Sequence, residues 1–212
     1  MASDEVGEAR REAELALAQN RQDLRAVNLL TQAMVLQGEL NQAIAMLDGL
    51  LEEFPESDAL RMRRIEILMQ SDRWAEALPD TRMLNEKYAD NAPLKNNLAF
   101  LLARSGQDLS KAQVLSVELA AEFSDNPIIM DTRAYVMAAT GQHEEALKVY
   151  EGALAKAGDN VVIRYHYAKS LVALGRTDDA AVQLQALLMI NPNFPQAGDA
   201  RALLESLRGE DS

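Results

Sequence analysis

The sequence predicts an all-α fold, a solenoid of about five consecutive pairs of antiparallel helices. The first observation is that Gly141-Gln142-His143-Glu144-Glu145-Ala146-Leu147 returns 34 residues later as Gly175-Arg176-Thr177-Asp178-Asp179-Ala180-Ala181. The second is a series of alanines at intervals of 34, 35, 34 and 34, namely Ala43, Ala77, Ala112, Ala146 and Ala180. A fixed period of this size is typical of repeat proteins in which each unit is one supersecondary element packed on its neighbours. The third is the composition, 48% hydrophobic and 5% aromatic, which suits helices packed through Leu, Ala and Met.

The N-terminal region, residues 1–23, contains a charged and alanine-rich stretch at 5–20 that predicts a helix. Extending the repeat backwards places Ala9, Ala13 and Ala16 where a second helix carries its small packing residues. The segment is therefore either the second helix of a preceding, incomplete repeat or a polar cap, because terminal repeats are often atypical.

Five repeats follow, at about 24–57, 58–91, 92–126, 127–160 and 161–194. In the first, Val27, Leu30 and Met34 have helical spacing, and Gly38 predicts the turn to the second helix. Glycine suits this turn because it adopts positive φ without steric strain. Asp72 replaces it in the second repeat, where we expect a left-handed residue because Asp tolerates that region.

Two irregularities interrupt the period. Pro79 lies inside the second helix of the second repeat, where it predicts either a kink that the array absorbs or a bend that reshapes the groove. The interval from Gly106 to Gly141 is 35 residues, so one extra residue near 107–110 predicts a longer turn.

The C-terminal region, residues 195–212, predicts a capping helix at 196–208 and an acidic tail at 210–212. Ala200, Leu203, Leu204 and Leu207 fall on one face of this helix. We expect that face to cover the last repeat and the tail to fray into solvent.

This pattern resembles the tetratricopeptide repeat (TPR) family over residues 24–194. The small position of the first helix holds Ala99, Ala134 and Ala168, with Thr31 and Ile65 in the first two repeats. The family's tryptophan position is filled instead by Val27, Arg61, Lys95, Met130 and Arg164. The resemblance implies a right-handed α-solenoid that binds a peptide or protein partner without catalysis.

Three strings narrow the resemblance to TPR arrays of bacterial envelope-assembly and export proteins. They are Asn96-Asn97-Leu98-Ala99, Asp131-Thr132-Arg133-Ala134-Tyr135 and Ile163-Arg164-Tyr165-His166-Tyr167-Ala168. A scaffold within such a bacterial assembly is therefore the leading functional hypothesis. The alternative is a structural module that self-associates through its end helices.

The resemblance also implies that ligand-facing side chains lie on the first helix of each repeat. The candidate groove residues are Asn28, Gln32, Arg63, Glu66, Asn96, Asn97, Phe100, Arg104, Asp131, Tyr135, Tyr165, His166 and Lys169. Amides can pair with a peptide backbone, rings can hold apolar side chains, and cations can meet a carboxylate. For Phe100 and Tyr135, packing between repeats is the competing interpretation. The family's two-carboxylate clamp is not reproduced, because the matching positions hold Asn28/Gln32, Arg63 and Pro93/Asn97.

The composition argues against other classes of function. A net charge of −12 disfavours nucleic acid, whose phosphates are bound by clustered cations. There is no cysteine, and the two histidines, His143 and His166, fall on different repeats, so no metal site, cofactor or active site is predicted. His143 follows a turn and is predicted to be solvated. Without a basic and apolar leader or a long apolar run, we expect no membrane insertion, and a cytoplasmic location unless a leader was removed.

Overall fold

A computed structural model describes residues 3–209, over which it has twelve α-helices and no β-strand. The predicted acidic tail at 210–212 lies outside the described residues. The helices are α1 (Ser3–Gln19), α2 (Leu24–Leu36), α3 (Leu40–Glu53), α4 (Asp58–Gln70), α5 (Trp74–Lys87), α6 (Ala92–Ser105), α7 (Leu109–Glu122), α8 (Pro127–Ala139), α9 (His143–Lys156), α10 (Val161–Ala173), α11 (Thr177–Ile190) and α12 (Ala197–Gly209). The predicted all-α class is confirmed.

Short polar residues fix where the first helix of each of five pairs begins. A side-chain oxygen of the residue before α2, α4, α6, α8 and α10 accepts a hydrogen bond from a backbone N–H of the first turn. These N-caps are Asp23, Ser57, Asn91, Asn126 and Asn160. Such caps satisfy N–H groups that have no partner within the helix. The same residues therefore mark the boundaries between successive helix pairs.

Left-handed residues make the turn within each of five helix pairs. Gly38, Gly106, Gly141 and Gly175 have φ between 67° and 82°, and Asp72 has φ 56° as expected. The next helix begins three residues after Gly106, but two residues after each of the other four left-handed residues. The longer turn predicted near 107–110 is confirmed.

The chain forms two compact units, Met1–Lys87 and Tyr88–Ser212. In the first unit, α1 packs on α2, and Ala13 is buried as expected for a small packing residue. Ala43 and Ala77 are fully buried, so α3 and α5 can approach their neighbours closely. Helix α5 runs through Pro79 without interruption.

A charged cluster also holds α4 on its neighbours in the first unit. The Arg64 guanidinium of α4 donates to Asp80 of α5 at 2.5 and 2.9 Å and to Asp48 of α3 at 2.6 Å. Arg61, which occupies the family's tryptophan position, lies 3.8 Å from the same Asp80 carboxylate. Charge pairing therefore contributes here to an interface where the family's pattern uses an aromatic ring.

The second unit contains α6 to α12 and repeats the same packing. Its small residues on both helices of each pair have no exposed surface, namely Ala99, Ala112, Ala134, Ala146, Ala168 and Ala180. Helix α12 packs on α11 and buries Ala200, Leu204 and Leu207, so the predicted capping helix is confirmed. Gly152 of α9 sits so close to Met130 of α8 that an added Cβ would lie 2.9 Å from its Cε atom.

Candidate functional site

Four of the predicted groove residues lie in the first unit, on α2 and α4. Asn28 and Gln32 are exposed along α2. Arg63 of α4 is partly buried and donates at 2.8 Å from Nε to the hydroxyl of Thr31 and at 2.8 Å to the carboxylate of Glu66. Two of its donors are thus engaged within the fold, which leaves the amides of α2 as the more accessible polar groups.

The other nine lie in the second unit, where α6, α8 and α10 bring aromatic rings together. The ring centroids of Phe100 and Tyr135 are 4.8 Å apart, as are those of Tyr135 and His166, and Phe100 lies 5.9 Å from His166. Tyr165 continues the series, 6.3 Å from His166 and 6.0 Å from Phe194. We call these five rings the aromatic cluster. Their tilted and edge-on geometries are the favourable ones for aromatic pairs.

A buried pair of polar side chains lies at the centre of the aromatic cluster. The Nδ1 atom of His166 is 2.9 Å from Oδ1 of Asp131, and each side chain is 10% exposed. Because a carboxylate only accepts hydrogen bonds, Nδ1 carries the proton in this contact. Asp131 thereby fixes the orientation of the His166 ring, and the remaining nitrogen, Nε2, is left for other interactions.

Two cations lie beside the aromatic cluster. The ammonium of Lys169 is 5.8 Å from the ring centroid of Tyr165, a cation–π distance. Although Lys169 as a residue is exposed, neighbouring protein partly desolvates its ammonium, which lowers the pKa, and the nearby charge of Arg104 lowers it further. The carboxylate of Asp199 acts in the opposite direction. Lys169 is therefore a partly desolvated cation with charges of both signs nearby.

A pocket of about 240 Å³ opens between α8, α9 and α10, beside these groups. Its wall consists of Tyr135, Ala138, Ala139, His143, Tyr150, His166, Lys169, Ser170 and Ala173. Tyr150 is fully buried, and burial raises the pKa of its phenol well above the ordinary value, while a hydrogen bond with Ser170 opposes that shift. The lining of the pocket thus combines small apolar side chains with a cation and two imidazoles.

His143 is the pocket residue that the sequence prediction misjudged. It was expected to be solvated, but it is half-buried, and within residues 3–209 its buried Nδ1 atom has no hydrogen-bond partner. His143 lines a pocket that also contains residues of α8 and α10, and these neighbours cover part of its side chain. Helix periodicity carries no signal for this, because His143 follows a turn like any solvated first-turn residue.

The remaining predicted residues differ in their accessibility. Asn97 is half-buried on α6 and Arg104 is exposed at its end. Asn96, Asp131 and Tyr165 are almost fully buried, at 9%, 7% and 8% exposure. Of the nine in this unit, Asn97, Phe100, Arg104, Tyr135 and Lys169 therefore offer the most surface to a ligand.

A second pocket, of about 370 Å³, lies in the first unit where two interhelical turns meet. It is lined by Arg21, Gln22, Leu24, Phe54, Pro55, Glu56, Ser57 and Leu60. Arg21 is engaged in a two-pronged contact with Glu53 at 2.5 and 2.8 Å. None of its lining residues was predicted as a groove residue.

Neither a metal cluster nor a membrane span is found in the part of the chain that the structure describes. Among residues 3–209 no three His, Cys, Asp or Glu side chains are grouped as a metal ion would require. Across the same residues, every helix is too short or too polar to cross a bilayer.

Comparison with known proteins identifies the repeat. The family model described as "Tetratricopeptide repeat" matches residues 1–65, 34–79 and 137–208. These matches together cover more than half of the chain. No curated protein matches the sequence.

Solved structures share the fold at low sequence identity. A thermophilic TPR protein of Thermus thermophilus, TTC0263, is 19% identical with a TM-score of 0.67, and the match covers 87% of this chain and 98% of that one. YrrB, described as a TPR protein with an unusual peptide-binding site, is 16% identical with a TM-score of 0.54, covering 90% and 97%. A chain of the APC/C hetero-tetramer Cut9–Hcn1 is 16% identical with a TM-score of 0.68, covering 96% of this chain and 40% of that one.

Proposed function

Because this chain belongs to the tetratricopeptide repeat family, we propose that it is a non-catalytic scaffold that binds a peptide segment or partner protein along its groove residues. The fold generally mediates interactions between proteins. The proposal assigns the five ranges at 24–57, 58–91, 92–126, 127–160 and 161–194 as the repeats that carry this surface.

The observation that carries the proposal is the mixed surface of the second unit. Half-buried rings at Phe100 and Tyr135 lie beside the cations Arg104 and Lys169 and the amide of Asn97. Extended peptides present both apolar side chains and backbone polar groups, and this set of side chains offers partners for both. The chain as a whole is acidic, with a net charge of −12, so these two cations are the groups of this surface that could meet a carboxylate of the peptide.

Two similar structures support a partner of this kind. YrrB is described as having a peptide-binding site, and the Cut9 and Hcn1 chains form a hetero-tetramer. Both are under 25% identical to this chain, so they support the class of function and name no partner for it. We further propose, from the strings quoted above, that the partner belongs to a bacterial envelope or export assembly.

The test is affinity capture from the native host with wild-type protein and a groove triple variant, Asn97→Ala, Arg104→Ala and Tyr135→Ala. A matched control replaces exposed side chains of α7, α9 and α11, with Lys111→Ala, Lys148→Ala and Gln185→Ala. We expect proteins identified by mass spectrometry to be lost from the groove variant and kept by the control, with helicity unchanged in both. Equal capture by the two variants would exclude this groove.

A second candidate function is self-association through the end helices. One observation in its favour is Leu15 on α1, whose side chain is 66% exposed. The other is the alanine spacing of residues 5–20, which fits the second helix of an incomplete repeat. Light scattering over a range of concentrations tests it, with Leu15→Glu as the variant expected to abolish any dimer. A monomer at the highest concentration contradicts it.

A further inference from the structure

We propose that the pocket between α8, α9 and α10 binds a carboxylate that is attached next to an aromatic or bulky apolar group. The site is lined by nine residues of the second unit, and it includes His143, which lies outside the predicted groove. It is distinct from a two-carboxylate clamp, because it takes one anion and one apolar group in a single pocket. The inference goes beyond the proposed function, and its small-molecule probes test it without partner capture.

The size and the apolar lining of the pocket argue for the apolar group. About 240 Å³ exceeds the roughly 150 Å³ that suffices to hold a benzene ring in a protein interior. Ala138, Ala139 and Ala173 contribute small apolar side chains, and the rings of Tyr135 and Tyr150 complete the wall. A flat ligand ring packs favourably against the partly exposed ring of Tyr135 in tilted or edge-on geometry.

The charge of Lys169 at the pocket argues that the ligand carries an anionic group. Lys169 lines the pocket, and its ammonium is partly desolvated and lies within the field of Arg104. A carboxylate bound beside the Lys169 ammonium would favour its charged form and so offset its partial desolvation. Asp131 is not among the residues that line the pocket, and its carboxylate accepts a hydrogen bond from the His166 Nδ1–H group.

The unpartnered nitrogen of His143 is the second observation that points to a ligand. Buried polar atoms without a hydrogen-bond partner are rare, and each calls for a physical explanation. Half a turn of the ring about the Cβ–Cγ bond exchanges Nδ1 with a carbon, and it breaks no hydrogen bond to Nδ1 within residues 3–209. The imidazole can therefore place a nitrogen on either side of its ring without breaking a hydrogen bond to Nδ1.

One ligand chemistry here has two sources. A free small aromatic acid carries its carboxylate close to the ring, and so does the C-terminal residue of a partner chain that ends in an apolar side chain. Either ligand would present a carboxylate to Lys169 and an apolar group to the alanines that line the pocket. The experiment is therefore arranged to detect the shared chemistry first and to separate the two sources afterwards.

The probe pair is N-acetyl-phenylalanine and N-acetyl-phenylalanine amide, titrated into the full chain and followed by calorimetry or by NMR. The two differ by the negative charge and one acceptor oxygen. We expect the acid to bind at least about tenfold more tightly, because a hydrogen bond to a charged group contributes that much discrimination. Equal affinities for acid and amide, or no binding of either, would overturn the proposal.

Variants of the pocket residues test whether the acid binds in this pocket. Lys169→Met and His143→Phe should reduce the affinity for the acid toward that for the amide, while leaving the amide unaffected. Lys148→Met on the exposed face of α9 removes an equal charge outside the pocket and should change neither affinity. A loss with Lys148→Met as large as with Lys169→Met contradicts a specific site. Thermal unfolding followed by circular dichroism shows that each variant remains folded.

A hexapeptide ending in phenylalanine separates the sources. Much tighter binding of the peptide than of N-acetyl-phenylalanine assigns the site to the C-terminus of a partner, and equal binding assigns it to a small acid. If the probes fail but capture depends on the groove variant, the pocket inference alone is wrong. If the probes bind but capture is indifferent to the groove, the proposed scaffold function alone is wrong.

Discussion

His166 of α10 and Asp131 of α8 form a hydrogen-bonded pair whose Nδ1 and Oδ1 atoms are 2.9 Å apart, with both side chains 10% exposed. The pair joins two helices that belong to successive predicted repeats of the second unit. A buried carboxylate without its partner incurs a desolvation cost, so the pair is expected to stabilise the contact between α8 and α10.

Asp131→Asn keeps an acceptor oxygen for His166 but exchanges a charge-assisted hydrogen bond for a weaker neutral one, so we predict that it lowers the free energy of unfolding by about 1 kcal/mol. Urea unfolding followed by circular dichroism measures it, with the exposed Asp159→Asn on the α9–α10 turn as the matched control. A double-mutant cycle with His166→Gln then isolates the pair. If Asp131→Asn behaves like Asp159→Asn, the pair does not stabilise the fold.

Because of Tyr150, the free energy of unfolding is expected to change with pH in the alkaline range. Burial raises the pKa of its phenol well above the ordinary value of 10.0, and the negative charge of Asp131 adds to the shift. The folded state thus holds the proton more tightly than the unfolded state does. Its contribution to stability is fully present below the unfolded pKa and is lost as pH rises above about 10.

Tyr150→Phe should therefore flatten the decline of stability above about pH 10, while costing about 1 kcal/mol at pH 7 through loss of the contact with Ser170. Unfolding measured from about pH 7 to about pH 11 tests this, a range that spans the ordinary phenol pKa. Tyr167→Phe is the comparison, because burial and a hydrogen bond to Glu151 also raise the pKa of Tyr167, although this residue lies nearer the surface. An unchanged alkaline decline in Tyr150→Phe would contradict the assignment.

The alanine that recurs in the second helix of each repeat is predicted not to tolerate a larger side chain. Ala146 of α9 has no exposed surface, whereas Ala155 on the same helix is exposed. Ala146→Leu should cost about 1–3 kcal/mol or more through overpacking against α8 and α10, and Ala155→Leu should be close to neutral. Chemical denaturation of both variants checks this. Equal effects would mean that the spacing of alanines does not reflect close helix packing.

These alanines also show why the fold could be predicted from the sequence. A helix pair that must approach closely needs a small residue at one place in each unit, and a turn with positive φ needs glycine at another. Both requirements act on single residues and recur with the repeat, so Ala146 and Gly141 are visible in the sequence. Even the extra residue after Gly106 could be predicted from an interval of 35 instead of 34.

The site could be predicted less completely, because periodicity gives the face of a helix and not the depth of a side chain. Asn96 and Asn97 are adjacent candidates, yet Asn96 is 9% exposed while Asn97 is half-buried. The contact between His166 and Asp131 depends on the offset between two helices, which no local pattern encodes. His143 joins the pocket through the junction of three helices, so its neighbours become known only in three dimensions.

Asp80 provides a comparable test in the first unit, where charge pairing occurs at the family's tryptophan position. Its carboxylate is 8% exposed and accepts from Arg64 at 2.5 and 2.9 Å. Asp80→Asn keeps the shape but turns two charge-assisted hydrogen bonds into weaker ones and leaves the Arg64 charge undercompensated, which should cost about 2–3 kcal/mol. Glu76→Gln changes an exposed pair with Arg73 of similar geometry, and it should have no measurable effect because solvent screens that pair. Urea unfolding of the two variants distinguishes them, and an equal loss of stability would mean that the buried cluster holds α4 no more firmly than a surface ion pair does.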